Sequence, residues 1–115
     1  MELFDACKEG RVDDVKRLLA RDNIDVNKAD KYGRTPLFMA CANGHVDIVK
    51  NLLTQNKMLT QNKIKINKAT KDGATPLFIA CQKGHVGVVR LLLARTEIQI
   101  NQALNDGRTP LNIAC

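Results

Sequence analysis

The sequence has no tryptophan, one tyrosine and three phenylalanines in 115 residues. A core must therefore be aliphatic, and few rings are left on which nucleic-acid bases could stack. No apolar run approaches the roughly 20 residues needed to span a bilayer, and no charged-then-apolar leader opens the chain. None of the four cysteines forms a Cys-x-x-Cys pair, the close spacing that zinc sites favour. The two histidines, His45 and His85, have no carboxylate or cysteine at ligand spacing, and no nucleophile–base–orienter set is visible. Catalysis, a cofactor and a bound metal are not expected.

What the chain does have is repetition. Thr-Pro-Leu occurs at Thr35-Pro36-Leu37, Thr75-Pro76-Leu77 and Thr109-Pro110-Leu111, each inside a longer match. Thr75 to Thr109 is 34 residues and Thr35 to Thr75 is 40. Gly10, Gly44 and Gly84 repeat the same arithmetic, separated by 34 and 40. Leu3-Phe4-Asp5-Ala6-Cys7 aligns with Leu37-Phe38-Met39-Ala40-Cys41, so the opening segment joins the series without its Thr-Pro. One domain over residues 1–115 follows, divided into units 1–30, 31–70 and 71–104 and a partial unit 105–115. A chain that repeats itself in this way builds stacked units, each burying a face against its neighbour.

Each unit reads as two short helices and a turn. Thr35 and Thr75 can cap a helix through the hydroxyl, with proline in the first helical position where no N–H is needed. Leu37, Ala40 and Cys41 then share one face at i, i+3 and i+4. Gly44 and Gly84 suit the left-handed residue that ends a helix. In the second helix Val46, Val49, Leu52 and Leu53 form one stripe, matched by Val86, Val89, Leu92 and Leu93. An extended stretch and a glycine turn at Gly33, Gly73 or Gly107 complete the unit. Helices of about two to three turns are marginal alone, so stacking must hold them.

These residues resemble the ankyrin repeat, whose pattern of Thr-Pro-Leu-His-x-Ala-Ala, Gly-His, Val-Val-x-Leu-Leu-Leu and Val-Asn runs through the chain. The matches include Gly44-His45, Leu52-Leu53, Ile66-Asn67, Gly84-His85, Val88-Val89, Leu91-Leu92-Leu93 and Ile100-Asn101. Two departures stand out: the histidine after leucine is Phe38, Phe78 or Asn112, and the second alanine is always cysteine. The resemblance implies an all-α solenoid of stacked helix–turn–helix units joined by β-turn or hairpin fingers. It also implies that His45 and His85 belong to the turn between helices.

Cys7, Cys41, Cys81 and Cys115 are spaced by the repeat period, so they occupy one equivalent position per unit. Neighbouring helices lie roughly 8–10 Å apart, beyond the Cα–Cα reach of a disulfide at about 7 Å. Buried thiols acting as small apolar residues are expected, which fits a reducing, intracellular compartment, cytoplasmic or nuclear. In the first unit Asp5, Asp14 and Arg17 replace Met39, Ile48 and Asn51 of the second, the polar outer face of an N-terminal cap. Leu111 and Ile113 begin a helix whose partner helix is absent, so the chain reads as the front of a longer array, with weak self-association possible at that end. Thr54-Gln55-Asn56-Lys57 recurs as Thr60-Gln61-Asn62-Lys63, and removing six residues restores the shorter period, since 40 − 6 = 34. This duplication is expected to lengthen the second helix modestly and then form a mobile loop near Thr60–Lys63.

The net charge is +6, but basic and acidic residues interleave. A charge-driven nucleic-acid surface is therefore not the expected partner site, and another protein is. By the resemblance, a concave face carries the contacts, built from finger tips and the exposed side of each first helix. Carried over position by position, the candidates are Lys31, Tyr32 and Arg34; Lys71 and Asp72; Asn105, Asp106 and Arg108; and, on the helices, Lys8, Asn43, Gln82 and Lys83. Tyr32 is the one aromatic at a tip, and Tyr and Arg are common binding hot spots; the alternative is that it packs on the adjacent turn. The expected function is a non-catalytic protein–protein interaction module. The other reading is a recruiting, regulatory region of a longer enzyme or effector protein.

Overall fold

A computed structural model describes residues 2–21, 24–54, 64–95 and 98. Six helices run through them: α1 (Glu2–Glu9), α2 (Val12–Leu19), α3 (Pro36–Ala42), α4 (Val46–Leu53), α5 (Pro76–Lys83) and α6 (Val86–Leu93). No strand occurs among the described residues, and no helix among them is long and apolar enough to cross a membrane. Three antiparallel pairs, α1–α2, α3–α4 and α5–α6, lie side by side, with α1, α3 and α5 in one row and α2, α4 and α6 in another.

The threonine caps form as the sequence implies. Thr35 Oγ1 and Thr75 Oγ1 each accept from the backbone N–H three residues on, at Phe38 and Phe78, both at 3.1 Å. Both threonines are extended and buried, and proline opens each helix. At the far end the chain turns through a left-handed glycine, with φ +80 at Gly10, +70 at Gly44 and +73 at Gly84. The following N–H then reaches back to the inner helix: Arg11 to Ala6 O at 2.9 Å, His45 to Ala40 O at 3.0 Å and His85 to Ala80 O at 3.0 Å. That bond, together with the glycine N–H to Cys41 O or Cys81 O, closes orphan carbonyls that would otherwise be buried.

The core follows the repeat. Leu3, Ala6 and Cys7 of α1 have equivalents in Leu37, Ala40 and Cys41 and in Leu77, Ala80 and Cys81, all buried. Val15, Leu18, Ile48, Val49, Leu52, Val88 and Leu92 close it from the outer row, and Val26 and Ile66 close it near the fingers. The outer stripe needs one correction. Val46, Val86 and Leu93 are exposed at 41%, 53% and 51%, because the valines sit at the first position of their helices and the leucine at the last. Ile48 and Val88 take the inward positions instead.

In the first unit Asp5 and Arg17 are exposed and Asp14 is half-buried, whereas Met39 and Ile48 of the second unit are buried. Asp14 is held by Arg11 and Arg17 at 3.4 Å each. Helix α4 ends at Leu53, as α2 and α6 end at the equivalent Leu19 and Leu93. Thr54 is the cap residue at this end, its hydroxyl donating back to Lys50 O at 2.8 Å and its backbone outside helical geometry. The remainder of the duplication, the partial unit with Leu111 and Ile113, and Cys115 lie outside the described residues.

Polar joints bind one unit to the next. His45 Nε2 donates to Lys8 O at 3.1 Å and His85 Nε2 to Ala42 O at 3.1 Å; a carbonyl only accepts, so Nε2 carries the proton in each. Each ring covers the glycine of the preceding unit. A Cβ on Gly10 would stand 2.8 Å from His45 Cε1, and one on Gly44 2.7 Å from His85 Nδ1. Asn27 Oδ1 accepts from Lys65 N at 2.9 Å, and Tyr32 O accepts from Lys71 N at 3.0 Å.

Candidate functional site

The first finger is ordered by one carboxylate. Asp30 Oδ1 accepts from the Tyr32 and Arg34 backbone N–H groups at 3.0 and 2.9 Å. Its Oδ2 takes the Arg34 guanidinium through Nε and Nη2, both at 2.7 Å. Backbone bonds from Asp30 N to Arg34 O and from Gly33 N to Asp30 O, both 3.0 Å, close the turn. Partial desolvation would raise the Asp30 carboxyl, but the bonds from Arg34 and Tyr32 outweigh it and hold the group below its ordinary value.

Tyr32 rides on this frame. The residue is 53% exposed, with the Arg34 guanidinium carbon 5.0 Å and Lys31 Nζ 5.1 Å from the ring centroid. Both distances fall in the cation–π range. The aromatic is thus exposed and flanked by cations, with little freedom left to lose on binding.

The second finger repeats the backbone with other side chains. Thr70 stands where Asp30 stood, its Oγ1 accepting from Ala74 N at 3.1 Å. Ala74 replaces Arg34, so the Asp30–Arg34 pair has no counterpart at these two positions. A cleft of about 440 Å³ opens between the fingers. Tyr32 and Arg34 form one wall, Thr70, Asp72 and Ala74 the other, and Phe38, Phe78 and Ile79 line it from α3 and α5 beside Gln82. Phe38 and Met39, with Phe4, form an apolar cluster separate from the main core, and Ala42, Ala74 and Ile79 pack against it. A smaller cleft of about 330 Å³ near Phe4, Ile24 and Lys28 carries the Arg21–Glu2 pair at 3.5 Å.

Tyr32, Arg34, Asp72 and Gln82 therefore come together at one cleft. Lys31 joins them through the tyrosine ring, and Lys71 through its backbone bond to Tyr32 O. Lys8, Asn43 and Lys83 are exposed on the ends of the inner helices, but Asn43 is also a joint residue, its Nδ2 donating to Lys8 O at 2.9 Å. Asn105, Asp106 and Arg108 lie outside the described residues. Sequence reasoning missed Phe38, Phe78 and Ile79 as lining residues and Asp30 as the organiser of the tip. The signal for the phenylalanines was present, since they replace the usual histidine.

Two family models match the sequence: one described as ankyrin repeats (many copies) over residues 3–53, the other as ankyrin repeats (3 copies) over residues 55–115. The chain belongs to the ankyrin-repeat family. No curated protein matches it significantly. Ankyrin repeats serve in general as protein–protein interaction modules and are typically non-catalytic. The paired helices, glycine turns and fingers described above are this array's version of that scaffold.

Proposed function

We propose that this array binds a protein partner through the concave face centred on the cleft between the first two fingers. One observation carries the reading: Tyr32 is held out by the Asp30–Arg34 frame beside an apolar-lined cleft. A rigid aromatic beside a desolvated pocket is the usual composition of a binding hot spot. The partner inserts apolar side chains over Phe38 and Ile79, while Asp72 and Gln82 supply polar contacts at the edge.

The test is a pull-down with the natural full-length protein, followed by titration of the captured partner. Tyr32→Ala should weaken binding by about 2 kcal/mol and change the melting temperature little, since Tyr32 is exposed and lies outside the core. Arg34→Ala is a poorer probe, because it also leaves the Asp30 carboxylate without its cation. Unchanged affinity for Tyr32→Ala and for Ile79→Ala would reject this face.

A further inference from the structure

We propose that Asn43 is a site of spontaneous deamidation, gated by the joint between the first and second units. Asn43-Gly44 is the one Asn-Gly pair in the chain, and glycine leaves its own amide nitrogen unshielded. The deprotonated Gly44 nitrogen attacks Asn43 Cγ, forming a C–N bond that closes a five-membered succinimide as the side-chain nitrogen leaves as ammonia. Water then opens the ring at either carbonyl, giving aspartate or isoaspartate. One ammonia departs, one water enters, and nothing is oxidised.

The closed joint opposes each part of that reaction. Asn43 has ψ +2, and ring closure requires swinging it to strongly negative values so that the next nitrogen can reach Cγ. The nucleophile is engaged, because Gly44 N–H donates to Cys41 O at 3.3 Å. The leaving amide is engaged as well, Nδ2 donating across the joint to Lys8 O at 2.9 Å. His45 Nε2 holds the same carbonyl at 3.1 Å. Reaction therefore waits on local opening of the α3–α4 turn, and its rate reads how often that joint opens.

The glycine cannot easily be exchanged to remove the hazard. It sits at φ +70 with the His85 ring against it. The equivalent pairs Glu9-Gly10 and Lys83-Gly84 carry no amide, so the chemistry belongs to this joint alone. The product works against reclosure. A carboxylate at position 43 has only acceptors to offer the Lys8 carbonyl, and isoaspartate adds a backbone carbon inside a turn closed by the His45 N–H to Ala40 O bond. Deamidation thus loosens the first unit from the second and cannot be undone by refolding.

The experiment incubates the intact protein in mildly alkaline buffer, with and without denaturing urea, and follows the Asn43 peptide by mass and by isoaspartate content. Conversion at Asn43 should be about tenfold or more slower in the native protein than in urea. His45→Ala keeps the Asn-Gly pair but weakens the joint, so its native-state rate should rise. Should that variant not fold, wild type in urea below its unfolding transition gives the same readout, as conversion accelerating before global unfolding. Asn43→Asp, the preformed product, should melt below wild type. Equal rates in native and denaturing buffer, or no conversion at Asn43 in urea, would overturn the proposal; an unchanged melting temperature for Asn43→Asp would overturn the loosening.

Discussion

Each repeated residue has a local duty that single substitutions can isolate. Gly44 and Gly84 share the left-handed conformation, which disfavours any side chain by about 1–2 kcal/mol. They differ in surroundings, since among the described residues a Cβ at Gly84 meets nothing within 4 Å and one at Gly44 meets the His85 ring. Gly44→Ala should therefore destabilise more than Gly84→Ala, by a further 1–3 kcal/mol or about that, the range for overpacking. Urea denaturation of both variants checks this, and equal losses would mean the ring moves aside freely. At this scale the sequence was legible wherever a residue type has one main use. Thr35 and Thr75 as caps, and Gly44 and Gly84 as helix stops, follow from hydroxyl and backbone chemistry alone. Asn43 was not: its bond to Lys8 O spans two units, and nothing in a linear pattern says which carbonyl an amide will reach.

At the level of elements, the two fingers show one backbone built from two chemistries. In the first finger a carboxylate takes two backbone N–H groups and a guanidinium, while in the second a threonine hydroxyl takes one N–H. The Asp30 carboxyl is depressed in the folded state, so it contributes stability above its unfolded value of about 3.9. That contribution disappears as pH falls through the lower folded value. Melting curves of wild type and Asp30→Asn should differ at neutral pH and converge in acid; a constant gap at all pH values would show that the charge is irrelevant. The positions of the fingers were readable from the glycine turns. The role of Asp30 was not, because it is an Asx-type bond that only the folded turn assembles. The length of α4 was misjudged too. Apolar spacing through the duplicated segment permits a longer helix, but α4 ends at Leu53, level with Leu19 of α2 and Leu93 of α6.

For the whole molecule, the repeat period carried most of the fold. The recurring Leu-x-x-Ala-Cys pattern implies equivalent layers, and the helix pairs α1–α2, α3–α4 and α5–α6 are those layers. The cleft was less legible. Its tip residues Tyr32 and Arg34 stand out by type, but Phe38, Phe78 and Ile79 reach it only through the stacking of α3 on α5. The three described units share one continuous aliphatic core with a thiol in each layer. Cys7, Cys41 and Cys81 are all buried thiols. Burial pushes the Cys7 thiol up to about 12 and raises Cys41 as well, the latter helped by its neighbour Cys7. Neutral, buried thiols are poor nucleophiles. Peptide-resolved thiol labelling across a urea titration tests the claim directly. The three cysteines should stay unlabelled in native buffer and become reactive together, at the midpoint where helical signal is lost. Rapid labelling of any of the three in native buffer, or a disulfide between two of them, would contradict it.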